Sequence, residues 1–163
     1  MIRLAKKEDI PHLLEIYAAA RAFMRQNGNP TQWSSTYPSR EDLAADIDAQ
    51  QLYAVENPEG RIWACFVMAD GPDATYDVIY DGAWTKDAPY GVLHRVAGDG
   101  TEKGLVKRCV SYAAGQYAYL RIDTHENNLP MQRALSKEGF TCRGTIITID
   151  GTKRLAYDRF TEE

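Results

Sequence analysis

A chain of 163 residues, 44% hydrophobic and 26% charged, is long enough to bury one sizeable core, and its composition argues against disordered, collagen-like and disulfide-scaffold classes. Its net charge of −4 speaks against a general nucleic-acid binder, and no apolar run approaches the ~20 residues of a membrane span. The opening Met1-Ile2-Arg3-Leu4-Ala5-Lys6-Lys7 turns charged too soon for a secretory signal, while Cys65, Cys109 and Cys142 are odd in number and widely spaced, as reduced cytoplasmic thiols are. Residues 1–163 are expected to form one domain.

Ile2-Arg3-Leu4 is a short strand candidate. Ile10, Leu13, Leu14, Tyr17 and Met24 follow helical spacing and predict a helix over 8–25, broken at Asn27-Gly28-Asn29-Pro30. An aromatic-bearing loop with Trp33 and Tyr37 follows. Ser39, with Asp42 three residues on, has the capping-box spacing that opens a second helix. Two strands, 51–56 and 61–69, flank the turn Asn57-Pro58-Glu59-Gly60. Residues 70–90 have no clear period but hold Tyr76, Tyr80, Trp84 and Tyr90.

The run 91–97 reads as a strand ending in Gly98-Asp99-Gly100, with a helix expected from near Glu102. Residues 117–124 form another strand, Asn128 caps a short helix, and Gly139 sits where a C-cap glycine belongs. Strands 140–149 and 154–160 close the chain around Asp150-Gly151. This order is a mixed α/β fold rather than a regular βαβ alternation.

The stretch from Leu93 to Lys107 carries the clearest chemistry. A strand runs through a glycine-bearing loop into a helix, whose first N–H groups and positive dipole end make an anion site. Lys103, Lys107 and Arg108 place cations against that dipole, as a bound anion would require; a plain junction with solvated lysines has the same composition. Lys103-Gly104-Leu105 has the wrong order for a P-loop, and glycines 98, 100 and 104 give GxGxxxG rather than the dinucleotide fingerprint. No HExxH or CxxC spacing suggests a metal site, and there is no GxSxG nucleophile elbow.

The order of elements and two motifs resemble the GNAT superfamily of acyl-CoA-dependent N-acyltransferases. Val96-Ala97-Gly98 followed by Glu102-Lys103-Gly104-Leu105-Val106-Lys107 is similar to the family's Q/R-x-x-G-x-G/A pyrophosphate loop. Asn128-x-x-Met131-x-x-x-Leu135-x-x-x-Gly139-Phe140 is similar to its N-x-x-A-x-x-x-Y-x-x-x-G-F pattern, and the Asn-Pro-x-Gln-Trp segment at 29–33 occurs in some small bacterial members. Three departures stand out. The loop is shorter than usual, Thr101 takes the Gln/Arg position with Val106 at the last Gly/Ala, and Leu135 replaces a Tyr that in many members protonates the leaving thiolate.

The resemblance implies the element order β-α-α-β-β-β-α-β-α-β-β with a splayed central sheet and a cofactor cleft. It implies acetyl-CoA as cosubstrate, held by backbone of Val96, Ala97 and Gly98, by amides from Glu102, Lys103, Gly104, Leu105, Val106 and Lys107, and by Asn128. The acceptor would be a primary amine of a small molecule or peptide. A non-catalytic acyl-CoA-binding module on the same fold is the alternative, and a nucleotide-binding protein using the same loop is a third. The expected protein acts without nucleic acid, membrane or metal, as a monomer or homodimer.

His94 and Asp123 are the candidate bases. A lone strand histidine is also a common packed residue, and an acid at a strand end also pairs with a neighbouring cation. Strand alternation sends Arg95 to the face opposite His94. Trp33, Tyr80, Trp84 and His125 are candidate acceptor contacts; an aromatic cluster of this kind serves equally as an amine cage, as loop packing or as a dimer surface.

Overall fold

Among the described residues the regular elements are β1 (Ile2–Leu4), α1 (Ile10–Gln26), α2 (Arg40–Asp48), β2 (Leu52–Glu56), β3 (Ile62–Asp70), β4 (Gly91–Gly98), α3 (Leu105–Ala114), β5 (Tyr119–Thr124), α4 (Leu129–Lys137), β6 (Thr141–Ile147) and β7 (Lys153–Phe160), with short 3₁₀ turns at Lys7–Asp9 and Ala74–Tyr76. The computed structural model describes residues 1–161. The strands form one mixed sheet in the order β1-β2-β3-β4-β5-β7-β6. This is the α/β order expected from the sequence.

The chain divides into two compact units. One comprises Met1–Met68 with Arg95–Leu105; the other comprises Ala69–His94 and the residues from Val106 onward.

In the first unit, β1 and β2 pair antiparallel from Ile2–Val55 to Leu4–Tyr53, and β2 pairs antiparallel with β3. Helix α1 buries Ile10, Leu13, Ile16, Tyr17 and Ala20, a stripe at helical spacing. These side chains pack with Leu43 of α2 and with Leu52, Ala54, Cys65 and Val67 of the sheet. The 3₁₀ turn that precedes α1 is closed by Asp9, whose carboxylate accepts the Lys6 N–H at 2.8 Å and an Arg3 N–H at 2.9 Å. Helix α2 begins with the expected box: the Ser39 hydroxyl accepts the Asp42 N–H at 3.1 Å and the Asp42 carboxylate accepts the Ser39 N–H at 2.8 Å.

In the second unit, β5 pairs antiparallel with β7 from Tyr119–Phe160 to Thr124–Leu155, and β7 pairs with β6. The parallel ladder of β4 with β5 is short, Gly91 with Leu120 and Val92 with Arg121. A second core gathers Tyr76, Val92, Ile146 and Ala156, with Ile79, Trp84 and Tyr90 against it. Residues 70–90, without a period in the sequence, carry the 3₁₀ turn and one bridge, Tyr80 to Thr145.

One expectation needs correction. Helix α3 starts at Leu105, not near Glu102, because Gly104 has φ +78° and Gly100 φ +82°, conformations outside the right-handed helix. Glu102, Lys103 and Gly104 therefore belong to the loop. Within β4, Arg95 has φ +48°, a left-handed value that is costly for a side-chain-bearing residue.

Among the described residues no helix is long and apolar enough to cross a membrane.

Candidate active site

Strand β4 carries a histidine paired with a carboxylate. His94 Nε2 lies 2.9 Å from Asp73 Oδ2, and both side chains are about one third exposed or less. The Asp73 carboxyl is lowered to about 2, first by the hydrogen bond from His94 and further, against burial, by the Thr75 N–H. A carboxylate ionised at neutral pH only accepts, so Nε2 is the donor in this contact and Nδ1 is left as the nitrogen that can accept. Asp73 thereby fixes the tautomer of His94, as the orienting acid of a catalytic pair does. The sequence singled out His94; Asp73 lies 21 residues away, in the stretch without a clear period.

Asp123 is differently placed. Its carboxylate accepts the Tyr76 hydroxyl at 2.7 Å and faces Arg154 at 3.4 Å, and its side chain is only 9% exposed. Tyr76 itself is buried, and burial followed by the Asp123 charge pushes its hydroxyl well above the usual range. The strand-end acid therefore pairs with a neighbouring cation and tyrosine.

The turn from β4 into α3 lies in the first unit. Val96 and Gly98 are half-buried and Ala97 is buried. Gly98 is close to the start of α3: a Cβ added there would meet Leu105 Cδ2 at 3.0 Å. Beyond it the backbone opens. A Cβ built on Gly100 or Gly104 would meet nothing within 4 Å, so the chain there presents bare backbone to open space. Glu102, Leu105 and Val106 are partly exposed, and Lys103, Gly104 and Lys107 are exposed. That is the geometry a diphosphate requires: glycine backbone turned outward, cations beside it and a helix start behind. The residues fit such a group.

Asn128 is the N-cap of α4, its side-chain oxygen accepting the Met131 N–H at 3.3 Å. Leu135, in the next turns of the same helix, is fully buried and cannot act as an acid.

Of the aromatic candidates, Trp84 faces one of the protein's own cations. Trp84 donates its indole N–H to the Tyr76 carbonyl at 2.9 Å, and the Arg121 guanidinium lies 4.3 Å from the Trp84 ring and 4.1 Å from the Tyr90 ring. In the first unit, Trp33 packs edge-on against Tyr17 and Tyr37, and the Arg95 guanidinium sits over Tyr37, bonded to its hydroxyl at 2.7 Å and paired with Asp46. Neither cluster is a vacant amine cage. His125 is 8% exposed, its Nδ1 accepting the Asn127 N–H at 3.0 Å; burial, then Arg154, lowers its pKa and keeps it neutral. Tyr80 alone of the four is well exposed.

Cys65 and Cys109 are buried and Cys142 is exposed, all as free thiols, with burial raising Cys65 to about 12. Among the described residues no three His, Cys, Asp or Glu side chains gather as a metal-ligand set.

No family model and no curated protein matches the sequence closely. Solved structures do. A GNAT-family acetyltransferase from Streptococcus agalactiae is 30% identical, covers 100% of this chain and 96% of its own, and superposes with a TM-score of 0.87. A GNAT-family acetyltransferase from Listeria monocytogenes is 16% identical over 99% of this chain and 94% of its own, with a TM-score of 0.71. An aminoglycoside acetyltransferase in complex with coenzyme A and kanamycin shares the fold at 18% identity and a TM-score of 0.66, covering 98% of this chain and 94% of its own. With a full-length match at 30% identity, the chain belongs to the GNAT family of acetyltransferases.

Proposed function

We propose that the protein transfers the acetyl group of acetyl-CoA to a primary amine of a small molecule or a peptide by direct attack, with His94 as the general base. The observation that carries this reading is the His94–Asp73 pair on a strand that runs, within four residues, into a glycine loop of open backbone. An alkylammonium resembles lysine, with a pKa near ~10.4, so about one part in a few thousand is nucleophilic at neutral pH and a base is of use. Nδ1 of His94 takes the amine proton as nitrogen bonds to the acyl carbon, and Asp73 stabilises the imidazolium that results. A backbone N–H of Val96 or Ala97 faces the acyl oxygen as it gains charge.

The carbon–sulfur bond then breaks and the thiolate leaves. With a thiol pKa near ~8.5 it departs without a dedicated acid, so Leu135 is tolerated; solvent supplies the proton. Amides of Glu102 to Leu105 and the Lys103 ammonium hold the diphosphate.

The test is acetyl-CoA turnover, read as free thiol, across a panel of amines and polyamines with the product identified by mass. CoA is expected to raise the melting temperature, and His94→Ala to lower kcat by about 10²–10⁴ with CoA affinity retained. Thiol release that never exceeds hydrolysis, despite stabilisation by CoA, would select the non-catalytic CoA-binding module that the buried Leu135 favours.

A further inference from the structure

We propose that Arg61, at the end of the β2–β3 turn, is a positioning residue for the coenzyme loop: with Asp99 and Thr101 it closes a ring of side chains that holds residues 99–104 in receptive form before the coenzyme arrives. The inference rests on the acetyl-CoA reading above.

The ring is continuous. The Asp99 carboxylate accepts the Thr101 N–H at 2.9 Å, the Thr101 hydroxyl at 2.6 Å and Arg61 Nη1 at 2.9 Å. The second nitrogen of the same guanidinium bonds the Thr101 oxygen, so that hydroxyl donates to Asp99 and accepts from Arg61. Asp99 is anchored from behind, its own N–H donating to the Trp63 carbonyl at 2.9 Å. Burial works against the Asp99 charge, but the Thr101 and Arg61 bonds outweigh it and hold the carboxyl below its ordinary range.

The root of the brace is stiff as well. Asn57 Oδ1 accepts the N–H groups of Glu59 at 3.0 Å and Arg61 at 2.9 Å, and the Arg61 carbonyl accepts the Asn57 N–H at 2.9 Å.

This arrangement acts on the loop rather than on the core. Arg61 is 42% exposed, and an exposed ion pair adds little to global stability. A guanidinium fork that engages two side chains, however, fixes geometry as a single point charge does not. The loop it fixes contains Gly100 and Gly104, both at positive φ, and an unbraced segment with two glycines loses much conformational freedom when it closes on a ligand. Thr101 brings no charge of its own; Arg61 brings one from 40 residues away.

The experiment measures CoA affinity by calorimetry, steady-state kinetics, and amide hydrogen exchange of the free protein, for wild type, Arg61→Ala and Arg61→Lys. Arg61→Ala is expected to weaken CoA binding about tenfold and raise KM for acetyl-CoA with kcat within about twofold. It should also speed exchange of the Thr101 amide while leaving exchange in β2 and β3 unchanged. Arg61→Lys should recover part of the affinity. Wild-type CoA binding with an unaffected Arg61→Ala variant overturns the brace alone; a wild-type protein that takes up no CoA overturns the functional reading itself.

Discussion

At the residue scale, Asp73 is where acid should be felt. Its folded-state carboxyl is depressed to about 2, chiefly by His94, against ~3.9 in an unfolded chain. A depressed carboxylate contributes stability that is fully present above the unfolded value and is lost as pH falls through the folded one. The wild-type advantage in melting temperature over Asp73→Asn should therefore fall away as pH drops from ~4 to below ~2; an advantage independent of pH across that window would refute the assignment. His94 was readable because a histidine on a strand next to a glycine loop stands out locally. Its partner was not, because the pairing is made by a loop whose path no periodicity describes. The same holds for Trp84 and Tyr37. The sequence showed aromatic rings suited to a cation, but the cations that face them, Arg121 and Arg95, reach them only through the fold.

At the scale of elements, local chemistry was the better guide. Ser39 and Asp42 form the box their spacing announces, and replacing Ser39 by alanine should cost about 1 kcal/mol of stability in a urea titration. Asn128 likewise caps α4, and the Asp150-Gly151 turn joins β6 to β7. The start of α3 was misread because Glu102 and Lys103 are good helix formers. What overrides them is a backbone turned the other way at Gly100 and Gly104 and a loop tied up by Asp99. Propensity of single residues lost to a tertiary constraint. The left-handed Arg95 was equally invisible: its carbonyl accepts the Tyr17 hydroxyl at 3.0 Å, a bond across 78 residues.

For the molecule as a whole, the succession of strands and helices was apparent, because each element carries its own period. The order of strands in the sheet was not: β7 inserts between β5 and β6, a choice made by long-range packing. Part of what secures it is one carboxylate. Asp158 of β7 is 1% exposed and accepts the Thr85 N–H and hydroxyl, the Tyr119 hydroxyl and Arg143 Nε, each at 2.8–2.9 Å. It thus links β5, β6 and the irregular segment before β4 in the second unit. Four donors left facing an empty buried position make Asp158→Ala costly, by about 3–5 kcal/mol in equilibrium denaturation; a loss below about 1 kcal/mol would deny it that role.

The three tryptophans fall unevenly between the two compact units, Trp33 and Trp63 in one and Trp84 in the other. Trp84 lies under a guanidinium, while Trp63 is fully buried, so their emission should differ in colour and quenching. The chain therefore carries an intrinsic optical label in each half, and variants keeping a single indole would reveal whether both halves melt together without any dye being attached.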